Sequence, residues 1–317
     1  MPPERRALGR SGLSIAPFAL GGNVFGWTAG EAEGFRLLDA FVSAGYNLID
    51  TADVYSTWVA GHQGGESETM IGNWLRDSGR RSEVVLATKV GMDMGSNGKG
   101  LSAAHIARSI DDSLRRLRTD HIDLYQAHAD DPDIPLDETL EAFTRLVEDG
   151  KVRAIGASNY SALRLEEALR TSAERGFARF ESLQPRYNLL DRREFEATLA
   201  PLCHAEGLGV IPYASLASGF LTGKYRSRAD FSKSPRGPRM EARLNARGNR
   251  ILAALDEVSR RLGTSPAVVA LAWLLAQPVV TAPIASATSL PQLDELLAAP
   301  SLALDPESIR LLNAASD

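Results

Sequence analysis

Asp50, Tyr55, Lys89 and His128 are the residues of this sequence whose types and spacing could do chemistry together. A free tyrosine hydroxyl, with a pKa of about 10, holds its proton at neutral pH and gives it up reluctantly. An adjacent ammonium stabilises the phenolate and makes the phenol a better acid. Lys89 can supply that charge, and Asp50 can hold Lys89 protonated and oriented. His128 can hydrogen-bond a substrate oxygen and polarise it. The set is a tuned general acid aimed at a carbonyl oxygen. No side chain delivers hydride, so carbonyl reduction at such a site requires a nicotinamide coenzyme. Ser158, Asn159 and Gln184 could bond a carboxamide, Tyr213 could stack on a flat heterocycle, and a basic stretch from Lys224 could wrap a pyrophosphate. Each residue alone has an ordinary structural use: an N-cap Asp, a solvated Lys, a hydrogen-bonding His, a packed Tyr. What favours chemistry is their joint placement at the ends of successive strands.

Eight short apolar runs (15–20, 46–49, 84–88, 122–126, 152–156, 181–184, 209–212 and 279–284) read as strands. Between or after them, segments of helical period cover 31–44, 102–117, 136–148, 161–172, 192–206, 265–276, 290–298 and 306–315. Alternating elements of these kinds imply a parallel sheet with helical cover, and eight strands can close into a (β/α)8 barrel. In a barrel the reactive groups sit at the C-terminal strand ends, where Asp50, Lys89, His128, Ser158, Gln184 and Tyr213 fall. Residues 5–15, with Gly9-Arg10-Ser11-Gly12, read as a β-hairpin ahead of the barrel, which the family resemblance given below implies closes its N-terminal end. The connection 218–249 after strand seven is long, and its basic residues outnumber its acidic ones. We take residues 1–317 as one domain.

Several chemistries lack their signatures. Gly21-Gly22-Asn23-Val24-Phe25-Gly26 has the wrong spacing for a dinucleotide fingerprint, and Gly219-Phe220-Leu221-Thr222-Gly223-Lys224-Tyr225 is not a phosphate loop. No His/Cys/Glu spacing suits a metal and no Gly-x-Ser-x-Gly elbow occurs. His62, His105, His121 and His204 read as structural. The 317 residues carry 35 Lys+Arg against 40 Asp+Glu, a net charge of −5, which gives no general attraction to nucleic acid. No apolar run reaches membrane-span length, no secretory signal follows Met1, and the single cysteine, Cys203, excludes a disulfide framework, so a cytoplasmic setting is expected.

The chain resembles the aldo-keto reductase family, in particular its bacterial and potassium-channel β-subunit branches. The motifs are Leu48-Ile49-Asp50-Thr51-Ala52-Asp53-Val54-Tyr55, Gly65-Glu66-Ser67-Glu68, Ala87-Thr88-Lys89, Asp123-Leu124-Tyr125-Gln126-Ala127-His128, Gly156-Ala157-Ser158-Asn159-Tyr160, Gln184-Pro185-Arg186-Tyr187-Asn188 and Pro212-Tyr213-Ala214-Ser215-Leu216. The resemblance implies NAD(P)H bound across the mouth of the barrel, Tyr55 as proton donor, Lys89 and Asp50 as its tuning pair and His128 as the carbonyl-orienting residue. It implies coenzyme contacts from Gly22, Ser158, Asn159, Gln184, Tyr213, Leu216, Gly219, Leu221, Lys224, Ser286, Thr288, Gln292 and Glu295. The family's Pro-Gly is Ala285-Ser286 here, Thr288 stands where a basic partner for a 2′-phosphate is usual, and Leu296 replaces an adenine-side Asn. NADP is the coenzyme the resemblance implies, and these departures keep NAD as the alternative. Trp27 and Trp58 could wall an apolar substrate pocket. The expected activity is reduction of an aldehyde or ketone to an alcohol, or the reverse. Two other readings keep the barrel: a Schiff-base lyase using Lys89, or a non-catalytic subunit that senses the coenzyme.

Overall fold

The computed structural model of the chain describes residues 2–317. Strands β1 (Arg6–Ala7) and β2 (Ser14–Ile15) pair antiparallel as the expected hairpin. Its turn needs glycine at position 9: φ is +58°, and a Cβ there would sit 2.1 Å from the Glu181 carbonyl oxygen. Eight parallel strands follow: β3 (Ala19–Gly21), β4 (Leu48–Asp50), β5 (Val85–Val90), β6 (Ile122–Ala127), β7 (Val152–Ser158), β8 (Phe180–Gln184), β9 (Gly209–Val210) and β10 (Ile284–Ala285). Their spatial order is β10-β3-β4-β5-β6-β7-β8-β9. The remaining gap is closed where Thr281 N–H donates to Val210 O at 2.8 Å and Ile284 N–H donates to Pro212 O at 2.9 Å. The result is the expected (β/α)8 barrel. Strand boundaries differ from the sequence reading, most at two places: Ile15 belongs to the hairpin and the barrel starts at Ala19, and the run 279–284 gives only its last residue to β10. Pro17, which has no N–H to give a ladder, separates hairpin from barrel.

Around the strands lie α1 (Glu31–Ser43), α2 (Glu66–Ser78), α3 (Ala103–Leu117), α4 (Leu136–Glu148), α5 (Ala162–Arg175), α6 (Ala200–Glu206), α7 (Ala246–Leu262), α8 (Pro266–Leu275), α9 (Leu290–Leu297) and α10 (Pro306–Ser316). Helices α2 and α7 are absent from the sequence reading. Gly72 interrupts the pattern of α2, but it is the point of closest approach to α3, where a Cβ would lie 2.1 Å from Arg116 O. In α7 the apolar face of Ile251, Leu252, Leu255 and Val258 is masked by interspersed arginines. Its N-cap, Asn245, accepts from Gly248 N–H, so the long connection ends there and not at 249. That connection is wound into short 3-10 turns at 217–222, 228–233 and 237–243. Segment 192–206 is helical only in part: a π turn over 195–199 precedes α6, whose Pro201 cannot donate a backbone hydrogen bond.

Alternation along the strands decides what each level of the barrel holds, because residues two apart share a face. Ala19, Leu48, Val85, Ala87, Leu124, Ala154, Ile211, Ala282 and Ile284 form one apolar cluster with Leu8, Leu13 and Ile15 of the hairpin. The hairpin thus plugs the N-terminal end. Two residues further along the same faces stand Gly21, Asp50, Lys89, Gln126, Gly156, Tyr213 and Ser286. The barrel is apolar below and polar at its mouth. No helix of the described residues is long and apolar enough to cross a membrane.

Candidate active site

Lys89 is fully buried near the end of β5, and each of its three ammonium protons has an acceptor. These are Asp50 Oδ2 at 2.7 Å, Thr51 O at 2.8 Å and Tyr55 Oη at 3.0 Å. Burial opposes the ammonium, but Asp50 and Tyr55 outweigh it and hold the Lys89 pKa above its ordinary value. Tyr55 arrives on the loop after β4. Just beyond it Ser56 adopts φ +78° and anchors the turn by donating its hydroxyl to Phe25 O at 2.9 Å. The Tyr55 hydroxyl accepts from Lys89 and donates to Asp50 Oδ2 over a long 3.4 Å. Its pKa is not depressed as the sequence reading expected. Burial pushes it up to about 12, against the pull of Lys89. The phenol therefore keeps its proton throughout the ordinary pH range.

The His128 ring lies 6.1 Å from the Tyr55 ring, at 73°. Burial first, then Lys89, lowers its pKa to about 3, so the imidazole is neutral. Its Nδ1 is buried without a partner. A proton placed there would be stranded, whereas one on Nε2 can serve an incoming acceptor.

A single hydrogen-bonded chain joins these groups to the expected coenzyme residues. Tyr213 Oη donates to Asn159 Oδ1 at 2.7 Å, Asn159 Nδ2 to Ser158 Oγ at 3.1 Å, and Ser158 Oγ to Gln184 O at 2.9 Å. Gln184 Nε2 then donates to Asp50 Oδ1 at 2.8 Å. Asn159 holds φ +54° and also donates to His128 O at 2.9 Å. Gln126 and the Thr51 carbonyl complete the surroundings of Asp50 and Lys89 and were not among the sequence candidates. The signal for Gln126 was available: it stands on the inward face two residues after Leu124 and two before His128.

Trp27, Trp58 and Tyr55 wall the mouth, with Trp27 edge-on to Trp58 at 5.8 Å and Tyr55 6.1 Å from Trp58. Trp58 remains 47% exposed. The long connection reaches back over this wall: the Arg236 guanidinium lies 5.0 Å from the Trp27 ring centre and donates to Asn23 Oδ1 at 3.4 Å. Arg236 has no carboxylate partner among the described residues, and burial followed by Arg239 lowers its pKa. Lys224, beside the left-handed Gly219, is likewise without an acidic partner among the described residues. Leu216 and Gly219 are half-buried and Leu221 is buried; all three lie on the turn leading to Lys224. Ser286 Oγ donates to Asn23 Oδ1 at 2.9 Å, and Gln292 Oε1 accepts from both Thr288 N–H and Thr288 Oγ1 at 3.0 Å. Glu295 is exposed on α9, and Gly22 is buried where a Cβ would lie 2.9 Å from Ser67 Oγ.

A barrel whose mouth gathers a buried ammonium, a carboxylate, a protonated phenol and a neutral imidazole defines an acid–base site of the oxidoreductase type. The comparisons with known proteins agree. The model of the aldo/keto reductase family matches residues 17–317, and the chain belongs to that family of oxidoreductases. It is 38% identical over 319 residues to the uncharacterized oxidoreductase YrpG of Bacillus subtilis, covering 98% of this chain and 95% of that protein. It is 33% identical to a putative voltage-gated potassium channel subunit beta of Schizosaccharomyces pombe, over 92% and 86% of the two chains. It is 32% identical to the norsolorinic acid reductase stcV of Emericella nidulans, over 94% and 78%.

Proposed function

We propose that the chain reduces an aldehyde or ketone to the alcohol, or catalyses the reverse, with Tyr55 as the acid–base group and NADPH as coenzyme, NADH being the alternative. The observation that carries this reading is the complete use of the Lys89 protons. With one of them bonded to Tyr55 Oη, the phenol's own proton, held only by the long 3.4 Å bond to Asp50 Oδ2, is the one available to a substrate oxygen. The same geometry speaks against a Schiff base at Lys89, because a salt-linked ammonium has no free electron pair. The nicotinamide coenzyme, when bound, supplies or accepts the hydride. The residues present fit its dianionic pyrophosphate. Arg236 is a half-buried cation, it and Lys224 have no acidic partner among the described residues, and Tyr213 stands half-buried at the rim. A 2′-phosphate would draw on the loop arginines, since the Ser286 and Thr288 hydroxyls already bond within the chain.

During reduction His128 Nε2 orients the carbonyl oxygen, Tyr55 gives it a proton, and the Lys89 ammonium, held charged and in place by Asp50, stabilises the phenolate left behind. Trp27 and Trp58 exclude water from the apolar part of the substrate. The family-level alternative, a coenzyme-sensing subunit, predicts binding with negligible turnover. A panel of aldehydes, ketones and alcohols followed by nicotinamide absorbance, with each coenzyme in turn, separates the two. The Tyr55→Phe variant should bind coenzyme as the parent does and lose about 10²–10⁴-fold in turnover. Undiminished turnover in that variant refutes the assignment.

A further inference from the structure

Arg236 joins the long connection to the aromatic wall of the mouth. Its guanidinium lies 5.0 Å from the Trp27 ring centre and donates to Asn23 Oδ1 at 3.4 Å, so it meets both ends of the turn 23–27 after β3. The backbone of that turn is fixed without it. Phe25 N–H donates to Gly22 O at 3.0 Å, Trp27 N–H to Val24 O at 3.1 Å, and Ser286 Oγ to Asn23 Oδ1 at 2.9 Å. The half-buried Trp27 indole is not fixed in this way. It rests on the Arg236 cation and on Trp58, edge-on at 5.8 Å, and no hydrogen bond from its own N–H steadies it among the described residues. Trp58 in turn lies 6.1 Å from Tyr55, and Phe25 O of the same turn accepts from Ser56 Oγ at 2.9 Å. Arg236 is held from its other side by the connection. Its N–H donates to Ser234 Oγ at 3.2 Å, and that oxygen pairs with the Tyr225 hydroxyl at 2.5 Å. Lys224 Nζ lies 5.2 Å from the centre of the same buried Tyr225 ring. The two cations read above as coenzyme contacts thus share one frame with the substrate wall.

We infer that Arg236 is a positioning residue for the substrate: seated on Trp27, it sets the indole that walls the pocket, so that coenzyme and substrate each tighten the binding of the other. This rests on the nicotinamide reading above and adds to it a link between the two ligands. An anion held by Arg236 takes freedom from the guanidinium, and the indole against it then costs less to order when a substrate packs there. The link runs both ways, as any coupling between two binding equilibria must. A partly desolvated guanidinium–indole contact accounts for about fivefold in affinity, about 1 kcal/mol.

Two crossed measurements test it. Trp27→Leu removes the seat and should weaken the preferred coenzyme, NADPH or NADH, about fivefold in calorimetric titration without substrate, although Trp27 belongs to the substrate wall. Arg236→Ala, assayed with coenzyme raised well above its own Kd, should raise the KM for benzaldehyde about fivefold, although Arg236 belongs to the coenzyme side. The double variant should bind coenzyme no more weakly than Arg236→Ala alone, because the seat holds nothing once the cation is gone. Trp27→Phe keeps an aromatic face and should recover most of the lost coenzyme affinity. Both side chains are partly exposed at the rim, and a normal melting transition certifies each variant. Unchanged coenzyme affinity in Trp27→Leu overturns the inference, and so does a KM unmoved by Arg236→Ala. Losses that add in the double variant also overturn it, since Trp27 would then meet the coenzyme directly. A parent that binds neither NADPH nor NADH instead overturns the nicotinamide reading itself.

Discussion

Replacing Asp53 by Asn should stabilise the protein and flatten its response to pH. Asp53 lies two residues before Tyr55, is 1% exposed, and neither carboxylate oxygen has a partner. Behind the barrel wall it faces Glu68, whose oxygens are already held by Thr88 Oγ1 at 2.6 Å and Arg116 Nε at 2.6 Å. Burial first, then the charge of Glu68, raises its pKa from 3.8 to about 8, with Arg116 opposing. For an acid with a raised native pKa, the folded chain keeps a proton that the unfolded chain has released between about pH 4 and pH 8. Stability therefore falls as pH rises through that window and levels off above it. Four pKa units at about 1.36 kcal/mol each give a total of about 5 kcal/mol, of which about 4 kcal/mol falls between pH 5 and pH 8. Asn cannot ionise, so this term vanishes. Urea unfolding followed by tryptophan fluorescence at pH 5, 6.5 and 8 should show Asp53→Asn gaining progressively on the parent. Parallel stability profiles for the two proteins would sink the reasoning, as would a variant less stable by the same amount at each pH.

With Tyr55 held up at about 12 and His128 down at about 3, the rate of carbonyl reduction should have no inflection between about pH 5 and 10; a step near 6.5 in its pH profile would show that His128 titrates instead. Lys89→Met should lose at least as much turnover as Tyr55→Phe. It should also cost about 3–5 kcal/mol of stability by leaving Asp50 buried beside no cation, and an unchanged melting temperature would contradict this. Arg236→Ala removes a half-buried charge with no counter-ion among the described residues, so it should leave the coenzyme-free protein no less stable while weakening coenzyme affinity by about tenfold. Calorimetric titration reads the second effect, and unaltered affinity would remove Arg236 from the site.

The parts of this architecture that depend on local pattern were legible in the sequence. Strand-end placement gathered Asp50, Lys89 and His128, and the glycine turn at 9–12 announced the hairpin. Helix α2 was not legible because Gly72, which reads as a breaker, is there to let α3 approach. Helix α7 was hidden by charge: its apolar stripe is obvious only once the arginines are known to face outward. The chemistry was legible in kind and not in degree. Residue types gave Lys89 as the group that eases proton loss from Tyr55, yet how deeply the hydroxyl is sunk decides the sign of the shift, and depth is a property of the assembled barrel. For the same reason the hydrogen bond of Gln184 Nε2 to Gln126 Oε1, between strands β8 and β6, could not be read from either motif alone.

The hairpin stopper has a consequence for traffic. With Leu8, Leu13 and Ile15 filling the far end, the barrel is a blind well and not a tunnel. On the proposed function, a substrate that entered past Trp27 and Trp58 would have to leave by the same track, so a product lingering at the rim would bar the next arrival.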